Sequence, residues 1–286
     1  MNMKFRTVQK HTDLQHIKVG PFQVRQPLPS ATAKSVSPFL LLHHAGPSVH
    51  KPGEIKMRLS PHPHRGFEPV TFLFQGKIHH KDSAGNEGFL ESGDVQWMTA
   101  GSGIIHSEGP SEAFATEGGT MELVQLWVNL PRAAKMTAPK YQDIKSATMP
   151  VIEEGGFQLK IVAGDWNGLK GPATTFSPVS AAMVTFTEGA AIRLPFPANH
   201  HILLYVLEGT IGAAGATFEA GNLAVFAEDG DGIALQSYQS GKLLLLAGEP
   251  INEPVVSHGP FVKNYPGEIR QAILDYEEGK MGILVS

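Results

Sequence analysis

Short apolar runs broken by glycine and proline make up most of the chain. PFLLLHHAG, EPVTFLFQGKIHH, GDVQWMTAG and TMELVQLWVNL fill the first half; FQLKIVAGDW, AAMVTFTEGAAIRL, HILLYVLEGTI, GNLAVFAED and GKLLLLAGEP fill the second. Several alternate polar and apolar residues, the period of a half-buried strand. The 31 glycines and 21 prolines are scattered between these runs, as expected for short strands joined by tight turns. Helical spacing is scarce until Pro266. There Ile269, Ala272, Ile273 and Tyr276 fall at i, i+3, i+4 and i+7, and Gly279 stands where a C-terminal cap belongs, so a terminal helix packed on a sheet is predicted.

The strand pattern occurs twice. FLFQG-KI at Phe72–Ile78 echoes YVLEG-TI at Tyr205–Ile211, and FLESGDVQWM at Phe89–Met98 echoes FEAGNLAVF at Phe218–Phe226. A duplicated β-unit predicts two all-β domains, 1–130 and 142–286. The segment NLPRAAKMTAPKY, rich in Pro, Lys and small residues, supplies a linker at about 131–141.

Composition narrows the chemistry. A formal net charge of −4, with no basic block, gives no support to nucleic-acid binding. With no cysteine, disulfides, thiolate metal sites and a cysteine nucleophile are excluded. No run of signal-peptide or membrane-spanning length is present, so a soluble cytoplasmic protein is expected. Of the 13 histidines, all but His200, His201 and His258 lie between His11 and His106. Imidazole is the commonest protein ligand for metals, which directs attention to the first half.

There PHPHRGFE sets His62 and His64 two residues apart, and SGIIHSEGP does the same for His106 and Glu108. On a strand, residues i and i+2 share a face. Two such pairs on neighbouring strands would bring three imidazoles and one carboxylate to one metal, with coordination positions left for water, substrate or dioxygen. A single HxH is often chance surface histidine; two pairs in matching contexts are not. The second copy tests the idea. Counted from the repeat's glycines, the four positions fall there on Pro195, Pro197, Ala234 and Gln236, which cannot replace the first-copy set, so one site per chain is expected. Glu68 shares the face of His62 and His64 if the strand is unbroken, so on parity alone either Glu68 or Glu108 supplies the carboxylate. His79, His80 and Asp82 are read as solvated hairpin residues, and His200 and His201 as surface or loop histidines. Of the adjacent His43 and His44, at most one can approach the site. Trp97 and Met98 are assigned to the core.

The stretch PHPHRGFEPVTFLFQGKIHHKDSAGNEGFLESGDVQWMTAGSGIIHSE resembles the signature region of the pirin family, and GEPINEPVVSHGPFVKNYPGEIRQAILDYEEGKMG resembles that family's C-terminal segment. The resemblance implies two stacked cupin-type β-barrels (a bicupin), with metal in the N-terminal barrel alone. It places the ligands at His62, His64, His106 and Glu108, and leaves Glu68 a supporting role. One divalent transition metal is implied, Fe(II) first, with Mn, Ni, Cu, Co or Zn as substitutes. The implied activity is quercetin 2,3-dioxygenase-like. A flavonol would chelate the metal, Glu108 would take its hydroxyl proton as general base, and cleavage by dioxygen would release carbon monoxide. The family also implies an alternative, a metal- and redox-dependent regulator that binds a protein partner. A sugar-phosphate isomerase would need cations near the pocket, and Arg65 and Lys77 are the only candidates.

Overall fold

The computed structural model of the chain describes residues 3–12, 15–20, 22–54 and 58–284. It is all-β. Apart from single turns of 3-10 helix, helices are limited to Glu112–Glu117 and Pro266–Glu277 among the described residues. The C-terminal helix forms where the spacing places it. Pro266 opens its first turn, and the Glu268 side chain accepts from the backbone of Asn264 and Tyr265. Its apolar face, Ile269 and Ala272, packs with Phe261, Met281 and Ile105.

Two compact units recombine the chain. One comprises residues 1–15, 25–38 and 147–250; the other comprises 16–24, 39–146 and 251–286. The division in the middle of the sequence thus falls at 146/147. Residues 131–141 are not a free linker: Arg132–Ala134 forms a 3-10 turn, Lys135 is buried, and Lys140–Ile144 pairs with Val95–Thr99.

In the unit holding residues 39–146, a seven-stranded sheet and a four-stranded sheet are present and, among the described residues, are not hydrogen-bonded into a closed barrel. The four-stranded sheet runs Leu59–His64, Ile104–Pro110, Lys77–Asp82, Glu87–Glu91. In the larger sheet, Gly119–Asn129 lies between Phe39–His50 and Phe67–Gln75. Its even positions Val124, Leu126 and Val128 are fully buried, whereas Leu123, Gln125 and Trp127 on the other face are half-buried. One face is core; the other borders a cleft reached by solvent.

The unit holding 147–250 is filled by a continuous apolar core that includes Phe157, Leu159, Ile202, Leu204, Phe218 and Leu245. Its strand Ala191–Pro195 pairs with Gly232–Gly248, as Leu59–His64 pairs with Ile104–Pro110 in the other unit. The inward residues of that pair are Ile192, Leu194, Ile233 and Leu235. Counting from glycines instead selected Pro195, Ala234 and Gln236, on or beside the outward face; a one-residue slip reverses the side of a strand.

Candidate metal centre

Ile104–Pro110 is the middle strand of the site, with Leu59–His64 on one side and Lys77–Asp82 on the other. His106 lies opposite His62 and Asp82, and Glu108 lies opposite His80. A bulge between His106 and Glu108 shifts the register against Leu59–His64. Residues opposite one another share a face, so these pairings collect the histidines on one side.

The His62 and His106 ring centroids are 4.3 Å apart, and His64 is 4.9 Å from each. One ring nitrogen of each of the three lies within 4.8 Å of the others, and His80, His106 and Glu108 form an overlapping group by the same measure. His64, His106, His80 and Glu108 are buried; His62 is half-exposed at the mouth. Among the described residues, both groups of metal-binding type lie in this unit.

The polar atoms at the centre are unpaired. His64 Nε2, His106 Nε2 and Glu108 Oε2 are buried without a hydrogen-bond partner. Such orphans each cost on the order of 1–3 kcal/mol, and a cation held within these overlapping groups would relieve that cost. His62 and Glu108 are anchored on their other sides. His62 Nδ1 donates to the Ser60 carbonyl at 2.8 Å, leaving Nε2 with its lone pair. Gln125 donates to Glu108 Oε1 at 2.7 Å, which leaves Oε2 for the centre. The Pro260 carbonyl lies beside the His64 ring but does not close a full hydrogen bond.

Burial is the main cause that holds His64 and His106 well below the usual imidazole range, with the neighbouring histidines adding repulsion. Both are neutral near pH 7, the state that binds metal. Across the cleft the seven-stranded sheet presents Phe67, Trp127 and Leu41. Trp127 stands 4.2 Å from Phe67 and 5.5 Å from His64 between ring centroids, and Leu41 pairs with Trp127. The donors therefore face a mostly apolar, aromatic wall.

The other histidines are placed as follows. His43 pairs with Gln125 on the cleft side and is pushed down to about 4 by burial. His44 faces the other way, 3.1 Å from the buried Glu122. His79 is on the outward face with Glu87 and Arg58. His80 and Asp82, by contrast, are 0% and 3% exposed; they are not solvated hairpin residues, because their strand pairs with Ile104–Pro110 and turns this face inward. His200 is also buried rather than on the surface, its backbone carbonyl held by Arg6. Glu68 points away from the cleft, accepting from Thr99 at 2.7 Å. Trp97 and Met98 are fully buried. Arg65 and Lys77 are paired with Asp275 and Glu117, so neither is offered to a phosphate. The contributions of Gln125 and Trp127 had no signal in the sequence, since they come from the opposing sheet.

Two sheets enclosing a histidine cluster in one unit, and a packed core in the other, define a protein of two cupin-type units. Comparison with known families agrees. Residues 21–128 match the pirin model and residues 181–282 the pirin C-terminal cupin domain. The chain is 40% identical to Pirin-1 of Arabidopsis thaliana, covering 91% of this chain and 88% of that one. It is 37% identical to mouse pirin, again over 91% and 88%. A crystal structure of quercetin 2,3-dioxygenase from Acinetobacter baumannii matches with a TM-score of 0.93 at 39% identity, covering 99% of this chain and 100% of that one. The chain belongs to the pirin family.

Proposed function

We propose that His62, His64, His106 and Glu108 hold one divalent transition metal, Fe(II) foremost, and that the protein is a dioxygenase that cleaves flavonols such as quercetin. The observation that carries this reading is the close group of His62, His64 and His106, which shares His106 with a second group that includes Glu108, together with the unpartnered His64 Nε2, His106 Nε2 and Glu108 Oε2. Three imidazoles and a carboxylate suit Fe(II), and also Mn, Ni, Cu or Co; zinc fits the donors but lacks redox chemistry. Bound there, the metal supplies a Lewis-acidic, redox-active centre for a chelating hydroxy-ketone and dioxygen.

The chain's own residues prepare the rest. Gln125 holds one Glu108 oxygen, so the other is aimed at the centre and can accept the substrate's hydroxyl proton. Phe67, Trp127 and Leu41 give an apolar wall against which a planar ring system sheds water. The half-exposed His62 marks the side from which substrate enters. The solved relative named as a quercetin 2,3-dioxygenase supports the substrate class.

The test is quercetin consumption with carbon monoxide detection on Fe(II)-reconstituted protein. Wild type should turn over with one metal per chain. His106→Ala should lose metal and turnover together, and Glu108→Gln should lower kcat by about 100-fold or more. Metal binding without turnover would replace this reading with metal-dependent binding of a regulatory protein partner. Absence of metal binding would remove both.

A further inference from the structure

The metal reading leaves two buried polar side chains unused, His80 and Asp82. His80 Nδ1 lies 3.4 Å from His106 Nδ1, and its Nε2 lies 3.6 Å from Asp82 Oδ2. Asp82 is itself fixed: Oδ1 accepts from the backbone of Ala84 and Asn86 at 2.9 and 3.0 Å, and the Asn86 side chain donates to both oxygens. Tyr141 stacks on the His80 ring at 4.9 Å and 20°, setting its plane.

Only one proton arrangement suits a His106 that ligates through Nε2. Its Nδ1 must then carry the hydrogen and donate to His80 Nδ1. His80 Nδ1 is therefore the acceptor, and its hydrogen sits on Nε2, which has no hydrogen-bond partner but lies 3.6 Å from the Asp82 carboxylate. We propose that His80 and Asp82 are positioning residues forming a histidine–carboxylate relay that locks the His106 tautomer and raises its donor strength. The inference rests on the metal reading above. The rival arrangement has His80 as a ligand itself, since His80, His106 and Glu108 also lie within reach of one ion.

The experiment uses the full chain loaded with Cu(II). It measures affinity by competition titration and counts coordinated imidazoles by pulsed electron paramagnetic resonance. His80→Phe preserves the ring stack on Tyr141 while removing the acceptor. Its affinity should fall about 10–100-fold with three imidazoles still bound. In His80→Gln the amide oxygen can accept from His106 Nδ1–H, so affinity should recover most of that loss. Asp82→Asn, which keeps an oxygen for the turn amides, should weaken binding several-fold and carries the test if His80→Phe does not fold. Unchanged affinity in His80→Phe and Asp82→Asn would overturn the relay. So would a drop by one imidazole in His80→Phe, which would make His80 a ligand, or a His80→Gln no better than His80→Phe. A wild type that binds no metal would overturn the functional reading as well, and needs no variant to be seen.

Discussion

At the scale of single residues, burial decides which ionisable groups serve the site and which tax the fold. His64 and His106 are kept neutral by desolvation, which favours metal binding. Glu68 is held in the same unit for no such end. Burial pushes its carboxyl up to about 7 from 4.5, against a weaker opposing hydrogen bond from Thr99. The folded chain thus retains a proton that the unfolded chain releases as pH rises from 4.5 to about 7. Unfolding free energy falls with rising pH across that window and levels off above it. The full effect is on the order of 3 kcal/mol. Glu68→Gln keeps an acceptor for Thr99 and removes the titration. In urea melts, the difference between variant and wild type should grow in the variant's favour from pH 4.5 to 7. A difference constant with pH would show that Glu68 ionises freely in the fold.

At the scale of elements, the turn between Leu59–His64 and Phe67–Gln75 fixes the direction of the HxH pair. The Arg65 backbone exchanges hydrogen bonds with Pro260 and Val262, and its side chain reaches Ser102 at 2.7 Å and Asp275 at 2.6 Å. Lys135, buried, bonds the Gly66 carbonyl and Asn129. Gly66 has φ +85°, and a Cβ there would collide with the Val262 carbonyl. Gly66→Ala should therefore cost at least the 1–3 kcal/mol of a strained backbone, roughly. It should lower the Tm and weaken metal binding together; a Tm equal to wild type would show that the turn is not clamped. Much of this element was legible in sequence. Two-residue spacing picked out both proposed ligand pairs because strand periodicity is a local property. The same spacing in His80 and Asp82 was visible too, but whether that strand faced water depended on its pairing with Ile104–Pro110, a long-range fact. That Arg65 is unavailable to a phosphate was hidden for the same reason: its partner Asp275 is 210 residues away.

At the scale of the whole molecule, the duplicated pattern shows as two units of unlike interior. Where one presents imidazoles between its sheets, the other has Ile192, Leu194, Ile233 and Leu235 packed into its core. The repeat made the duplication legible; it could not show that residues 251–286 belong with 39–146, because no periodicity records which unit a tail joins. That assignment has a consequence for the metal site. The tail supplies Pro260 and Asp275 to Arg65, and the Met281 carbonyl to Ser83, whose hydroxyl also receives the Ile105 N–H next to His106. Phe261, Ile269, Ala272 and Met281 cover Ile105 from the same side. A chain ending at Pro250 retains all four proposed ligands but loses these supports, and the apolar residues they cover become exposed. Its metal affinity should drop at least tenfold, roughly, since a loosened donor set must be ordered on binding. Binding of an apolar dye should rise in parallel. The unit built on 147–250 contains none of the deleted residues, so a cooperative unfolding transition should persist. Wild-type affinity in the shortened chain would mean that the two ligand strands hold the centre unaided.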